Sequence, residues 1–130
     1  MSVAQTNAAK VLEQQGNEIS PHQVIALLLN GAMERISQAK HCVESGNEQD
    51  KLILVGKIIG IINGLRTSLN LEAGGDIAVN LNTLYLYMSS RLEQCDDQDE
   101  MVALQEVGSL IDNIKQGWDG IASEEILHSA

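Results

Sequence analysis

The apolar residues of this chain fall into long stretches that repeat every three to four positions, separated by short polar or glycine-containing breaks. Residues 3–15 form a short, weakly amphipathic stretch that ends at Gly16. Ser20-Pro21-His22-Gln23 follows. Ser20 reads as an N-cap, Pro21 as the first helical residue and Gln23 as the reciprocal partner of a capping box. This predicts a helix from Pro21 to about Ser45, with Gly46 just past its end. Asn47–Asp50 offers a second cap for a helix over about 49–71, which stops before Gly74-Gly75. A third helix is expected from near Asp76, whose charge suits a helix N-terminus, to about Cys95. Asp97-Gln98-Asp99-Glu100 supplies a further cap with an acid at N3, opening a last helix that runs to about Ile121.

Each long segment carries the 3-4-3-4 alternation of a bundle seam. The first has Ile25, Ala32 and Ala39 with Leu29, Ile36 and Val43. The second has Val55, Ile62 and Leu69 with Ile58 and Leu65, and the third Leu81, Met88 and Cys95 with Ile77 and Leu84. The fourth has Leu104, Ile111 and Trp118 with Val107, Ile114 and Ile121. Four helices of this length would each span ~30–37 Å, and loops this short make neighbours antiparallel. No strand period survives anywhere. The expected architecture is all-α: an antiparallel up-down four-helix bundle over residues 17–121, preceded by a short N-terminal helix in a cap segment, 1–16, and followed by a tail, 122–130.

The second long segment holds more apolar residues than a seam needs. Leu54 and Ile61 make a second stripe, Leu52 and Ile59 a third, and Val79 and Leu86 lie off the seam of the next segment. Such a width signals either a crowded central helix or a groove for an amphipathic partner helix. Pairing with a second copy of the chain is a further use for the same surface, which leaves a homodimer open.

Composition narrows the function classes. The chain has 130 residues, 8 Lys+Arg and 18 Asp+Glu, for a net charge of −10. That balance argues against nucleic acid and against anionic membrane surfaces. A hydrophobic fraction of 44% is too high for a disordered acidic tail, and a chain of this length buries about two-thirds of its unfolded surface. There is no Phe, and the aromatics are Tyr85, Tyr87 and Trp118, so the core is aliphatic. No run approaches the ~20 apolar residues of a membrane span, and the N-terminus lacks the pattern of a secretory signal. A cytoplasmic protein with reduced thiols is the expectation.

Catalytic and metal chemistry find little support. His22 reads as a solvated residue of a first helical turn. His41 and Cys42 are adjacent and so point about 100° apart. Cys42 and Cys95 read as small core hydrophobes. Glu125-Ile126-Leu127-His128 matches one Glu-x-x-His element of a di-iron bundle, but two are needed together with inward carboxylates that the seams lack. The acids at 96–100 lack the glycine and final glutamate of a calcium loop. Gly74-Gly75 follows no strand and precedes no Lys-Ser/Thr, so it is a turn and not a phosphate loop. The residues thus point to a helical interaction module with no cofactor and no metal.

Several of these segments carry a resemblance. Ser20-Pro21-His22-Gln23-Val24-Ile25 is followed by Leu28 and Asn30-Gly31-Ala32, then by Lys57-Ile58-Ile59 and Ile61-Ile62-Asn63-Gly64-Leu65. Gly74-Gly75-Asp76-Ile77-Ala78 leads into Asn80-Leu81, Leu84-Tyr85, Tyr87-Met88 and Arg91-Leu92, and Glu106-Val107 through Leu110 to Gly117-Trp118 closes the set. In this order, over about 20–121, the chain resembles the FliS family of flagellar secretion chaperones. The resemblance implies an antiparallel helical bundle that binds the disordered C-terminal segment of flagellin in the cytoplasm and blocks its premature assembly. It also brings in the flagellar export machinery as a further partner. Leu54, Ile58, Ile61, Ile62 and Leu65, with Val79, Leu86 and Tyr87, are the expected flagellin groove, although Ile58, Ile62 and Leu65 also lie on the bundle seam. The cap segment, with Ala4, Ala8, Val11 and Leu12 on one side of a helix, is expected to cover that groove in the free protein. A helical adaptor with a different amphipathic client is the alternative that the apolar pattern alone allows.

Overall fold

A computed structural model describes residues 20–69 and 71–129, and the side chains of 20–69 and 74–120. Four helices follow one another: α1 (Pro21–Ser45), α2 (Glu48–Thr67), α3 (Leu71–Gln94) and α4 (Glu100–Ser129). Among the described residues there is no strand. The expected short N-terminal helix and its covering of the groove fall outside the described residues.

The first helix starts and stops as its sequence dictates. The Ser20 hydroxyl accepts the Gln23 N–H, and the Gln23 side chain accepts the Ser20 N–H, completing the capping box. Gly46 ends the helix at φ 75°, in the left-handed region, with its N–H returning to the Val43 carbonyl. Two residues then suffice to reverse the chain, because the Asn47 side chain accepts the Asp50 N–H and caps α2.

Three boundaries differ from expectation. α2 stops at Thr67, and its last turn is tied off by the Thr67 and Ser68 hydroxyls, which donate to the Gly64 and Leu65 carbonyls. These short side chains compete for carbonyls that a further helical turn would use. α4 opens at Glu100, two residues later than a cap at Asp97 implies, because the Asp96 carboxylate accepts the N–H groups of Gln98 and Asp99 and winds 97–99 into a turn first. At its other end α4 continues to Ser129, past the expected stop at Ile121, there being no proline or glycine after Gly120 to break it. Within α3, Gly75 is non-helical at φ 55°, ψ −136°, so the regular helix begins after it, at the expected Asp76.

Each helix packs on its sequence neighbours, and α4 closes the ring on α1. The order is up-down-up-down. Ile61 of α2 lies 3.8 Å from the Cβ position that Gly31 of α1 lacks, and Ile36 of α1 lies 3.3 Å from that of Gly108 in α4. The two glycines thus let both neighbours approach α1 closely.

The enclosed core comprises Leu29, Ala32, Ile36 and Ala39 of α1, Ile58, Ile62 and Leu65 of α2, Tyr85, Met88 and Leu92 of α3, and Ala103, Leu104, Val107 and Ile111 of α4. The α1, α2 and α4 seams match the periodicity. α3 matches in part: Met88 is buried and Leu81 and Cys95 pack against the core, but Ala78, Tyr85 and Leu92 are buried as well, and Ile77, expected on the seam, is 69% exposed. The Tyr85 ring and Leu92 are sunk more deeply than half-buried Leu84 and Cys95, which buries more apolar surface.

A buried ion pair also contradicts the expectation of carboxylate-free seams. Lys51, 7% exposed, sits at the start of α2, with its Nζ 2.6 Å from Glu100 Oε2 at the start of α4 and 2.6 Å from Glu48 Oε1. The bond to Glu100 crosses the bundle between two helices that are not direct neighbours.

Candidate interaction surface

The outer surfaces of α2 and α3, like the first half of α1, are poor in charge. From Leu52 to Leu65 the sole charged residue is Lys57, and from Ile77 to Ser90 there is none. The acids concentrate instead around the α1–α2 and α3–α4 connections, with Glu44, Glu48, Asp50, Glu93, Asp96, Asp97 and Asp99. On these two charge-poor stretches Leu52, Ile53, Ile77, Val79, Leu86 and Tyr87 are exposed. Gly56 and Gly60 are also exposed and carry nothing within 4 Å of the position a Cβ would take, so the middle of α2 is low and open.

The structure sorts the expected groove residues into three groups. Val79, Leu86 and Tyr87 are exposed, at 51%, 45% and 45%. Leu54 and Ile61 are half-buried and packed against the core, Ile61 on the α1 side of α2 opposite Gly31. Ile58, Ile62 and Leu65 are enclosed in the core, where the seam periodicity also put them. The first group is open to solvent, the second is covered in part, and the third supports the helix from beneath. Leu52, Ile53 and Ile77 join the exposed set without having been assigned to the groove. The Leu52 stripe was visible in the sequence, but Ile77 lies on the side of α3 that carries buried Met88, and its exposure near the end of the bundle left no sequence signal.

Tyr87 is fixed by polar contacts across the α3–α4 boundary. Its hydroxyl donates to Glu106 Oε2 at 2.8 Å, and Arg91 Nε donates to Glu106 Oε1 at 2.9 Å. The bond to Glu106 raises the Tyr87 pKa above the usual phenol value. Tyr85, two residues earlier, is buried, and its pKa is raised by burial.

An open cavity of about 480 Å³ lies at the end of the bundle where α1 begins and α2 ends. Its walls include Ile25, Leu65, Leu69, Ile77, Leu81 and Trp118. The Trp118 indole N–H donates to the His22 carbonyl at 3.1 Å, and the two rings stack with centroids 4.7 Å apart. His22 is therefore half-buried, not the freely solvated residue its first-turn position suggested, because the Trp118 ring covers one of its faces.

Glu48, Asp97 and Glu100 bring carboxylate oxygens within 4.8 Å of one another. The Lys51 ammonium lies against two of them and takes the place a cation would occupy. The side chains of the Glu125–His128 pair lie outside the described residues. Cys42 and Cys95 are half-buried free thiols, less enclosed than core hydrophobes. No helix among the described residues is long and apolar enough to cross a membrane.

Residues 4–125 match the family described as Flagellar protein FliS. The chain is 43% identical over 111 residues to the flagellar secretion chaperone FliSB of Pseudomonas aeruginosa, covering 85% of this chain and 88% of that one. It is 37% identical over 113 residues to the flagellar secretion chaperone FliS of Vibrio cholerae, covering 87% and 83%. With FliS of Salmonella typhimurium the identity is 40% over 104 residues, covering 79% and 77%.

Proposed function

Because the chain belongs to the FliS family of flagellar proteins, we propose that it is a cytoplasmic, non-enzymatic export chaperone that binds the disordered C-terminal region of flagellin. In this role it prevents flagellin from polymerising early and keeps it competent for secretion. The observation that carries the reading is the charge-poor, apolar outer surface of α2 and α3 in a chain of net charge −10. An isolated soluble domain seldom exposes this many large aliphatic side chains on two adjacent helices unless a partner covers them.

The physical mechanism follows from that surface. A disordered client has no core in which to bury its own apolar residues. Laid against Leu52 and Ile53 of α2 and Val79, Leu86 and Tyr87 of α3, an amphipathic client stretch gains burial for its apolar face and folds as a helix. The ordering entropy of the client opposes this gain, so affinity is moderate for the area covered, which suits a client that must later be released. The open middle of α2 at Gly56 and Gly60 allows the client backbone to come close. The acids on the rest of the molecule keep the complex soluble.

The test is calorimetric titration of the chain with a fragment of flagellin's C-terminal region, accompanied by far-ultraviolet circular dichroism. One-to-one binding with a gain of helicity beyond the sum of the parts is expected. No heat of binding at tens of micromolar protein would overturn the reading.

A further inference from the structure

We propose that Glu106, itself held by Arg91, is a positioning residue that presents the Tyr87 ring to the client, a proposal that rests on the chaperone reading above. The chain has no Phe, Tyr85 is buried and Trp118 is half-buried. Tyr87 is therefore the exposed one among its three Tyr and Trp residues, at 45%. Side chains of this type recur as interface anchors, because fixing two torsions places a large contact area. A tyrosine whose hydroxyl is free keeps those torsions mobile until a partner stops them, and that ordering opposes binding. Here the hydroxyl donates to Glu106 Oε2 at 2.8 Å, from α3 to α4, so the ring is already ordered in the free protein.

The charge beside the ring is compensated before anything covers it. The α3 neighbours of Tyr87, three and four residues away, are Thr83, Leu84, Ser90 and Arg91, of which only Arg91 is charged. The Thr83 hydroxyl donates to the Val79 carbonyl at 3.1 Å. Arg91 Nε donates to Glu106 Oε1 at 2.9 Å, so the Glu106 carboxylate has a donor on each oxygen, one from Tyr87 and one from Arg91. A client lying over the ring excludes water from the hydroxyl without leaving it unpaired. It also shields Glu106 without stranding a bare carboxylate, and either orphan would oppose binding. Arg91 is the first charge after the run from Ile77 to Ser90, and its commitment to Glu106 keeps that flank of the surface neutral.

Two consequences separate this role from a structural one. Arg91 and Glu106 are both partly solvated, so their ion pair contributes little to folding and their substitution reads binding. Glu106 acts through the ring, so its effect on affinity must vanish when the ring is gone.

The experiment is calorimetric titration of the full chain and its variants with a fragment of flagellin's C-terminal region. Tyr87→Ala should bind at least tenfold more weakly, about 1.4 kcal/mol. Glu106→Ala and Tyr87→Phe delete the same hydrogen bond from its two ends, and each should weaken binding about three- to tenfold, with the double variant no weaker than either. Glu106→Gln should recover most of the affinity, since an amide can still bond the phenol. In the Tyr87→Ala background Glu106→Ala should change affinity less than about twofold, and thermal melts should stay close to that of the unaltered chain. Unaltered affinity in Tyr87→Ala, or in Tyr87→Phe, overturns the proposal while leaving the chaperone reading in place. Equal weakening by Glu106→Ala with and without the ring means that Glu106 meets the client itself, and this also overturns it. Absence of any binding to the unaltered chain overturns both readings.

Discussion

Replacing Lys51 by Met removes the one cation that holds the starts of α2 and α4 together. In the native chain its ammonium is 2.6 Å from both Glu100 and Glu48, and its side chain is 8% exposed against 12% for Glu100 and 57% for Glu48. The Glu48 contact is largely solvated and contributes at most about 0.5 kcal/mol. The Glu100 contact is different, because removing one partner of a buried pair leaves the other charge without compensation, at about 3–5 kcal/mol. Here the abandoned carboxylate would also face those of Asp97 and Glu48. For a domain of this size that loss corresponds to a fall in Tm of roughly 10–20 °C. The double variant Lys51→Met/Glu100→Leu removes both charges and puts apolar volume in their place, and should recover most of the loss. Urea denaturation of the four proteins of this cycle, followed by circular dichroism, should give a coupling energy above about 2 kcal/mol. The pH dependence has a definite sign. Burial lowers the Lys51 pKa, but the Glu100 and Glu48 carboxylates outweigh it and the net shift is upward. A raised pKa means that the pair's stabilisation is fully present below the unfolded-state value of 10.5 and is lost as the pH climbs through the higher folded-state value. The Lys51→Met chain should lack that alkaline component. A loss below 1 kcal/mol, or additive effects in the cycle, would refute the assignment of Lys51 and Glu100 as a coupled buried pair.

Three further outcomes separate surface from core and turn from helix. Ile62→Ala should destabilise by about 2–5 kcal/mol in thermal or urea melts, whereas Leu86→Ala, on an exposed position, should change stability by less than about 1 kcal/mol and weaken binding of the flagellin fragment measured by calorimetry. Gly75→Ala should destabilise by about 1–3 kcal/mol, because φ 55° is unfavourable for a side chain, and Gly74→Ala should also lower Tm through its contact with Ala78. Tyr87→Phe deletes a largely exposed hydrogen bond to Glu106, so its melt should be nearly unchanged, and its phenol absorbance titration should lose the high-pH component that the Glu106 bond produces.

The fold was legible because its signals are local. A capping box at Ser20, a glycine at 46 and an Asn cap at 47 each act within one helical turn, and the structure reproduces all three. A seam of period three to four needs only the helix's own geometry, which is why the α1, α2 and α4 cores were readable in advance. The failures arise where a residue's fate depends on a distant one. Nothing near Lys51 announces Glu100, 49 positions away. The solvation of His22 turns on Trp118, 96 positions away. How deeply each apolar residue of α3 is sunk is settled by competition among Tyr85, Leu84 and Leu92 for a core shaped by three other helices. The same reasoning explains why the surplus apolar residues of α2 pointed to a surface without resolving it. A wide stripe fixes how much apolar area a helix carries, but the neighbours decide which flank they cover. Here α1 takes the Ile61 flank through Gly31, and Leu52 and Ile53 are left to solvent. A client surface on a bundle is thus what remains once the bundle has satisfied itself, and it is read most securely from charge. A helix face that no partner covered would be expected to carry lysines and glutamates, and the run from Ile77 to Ser90 carries neither.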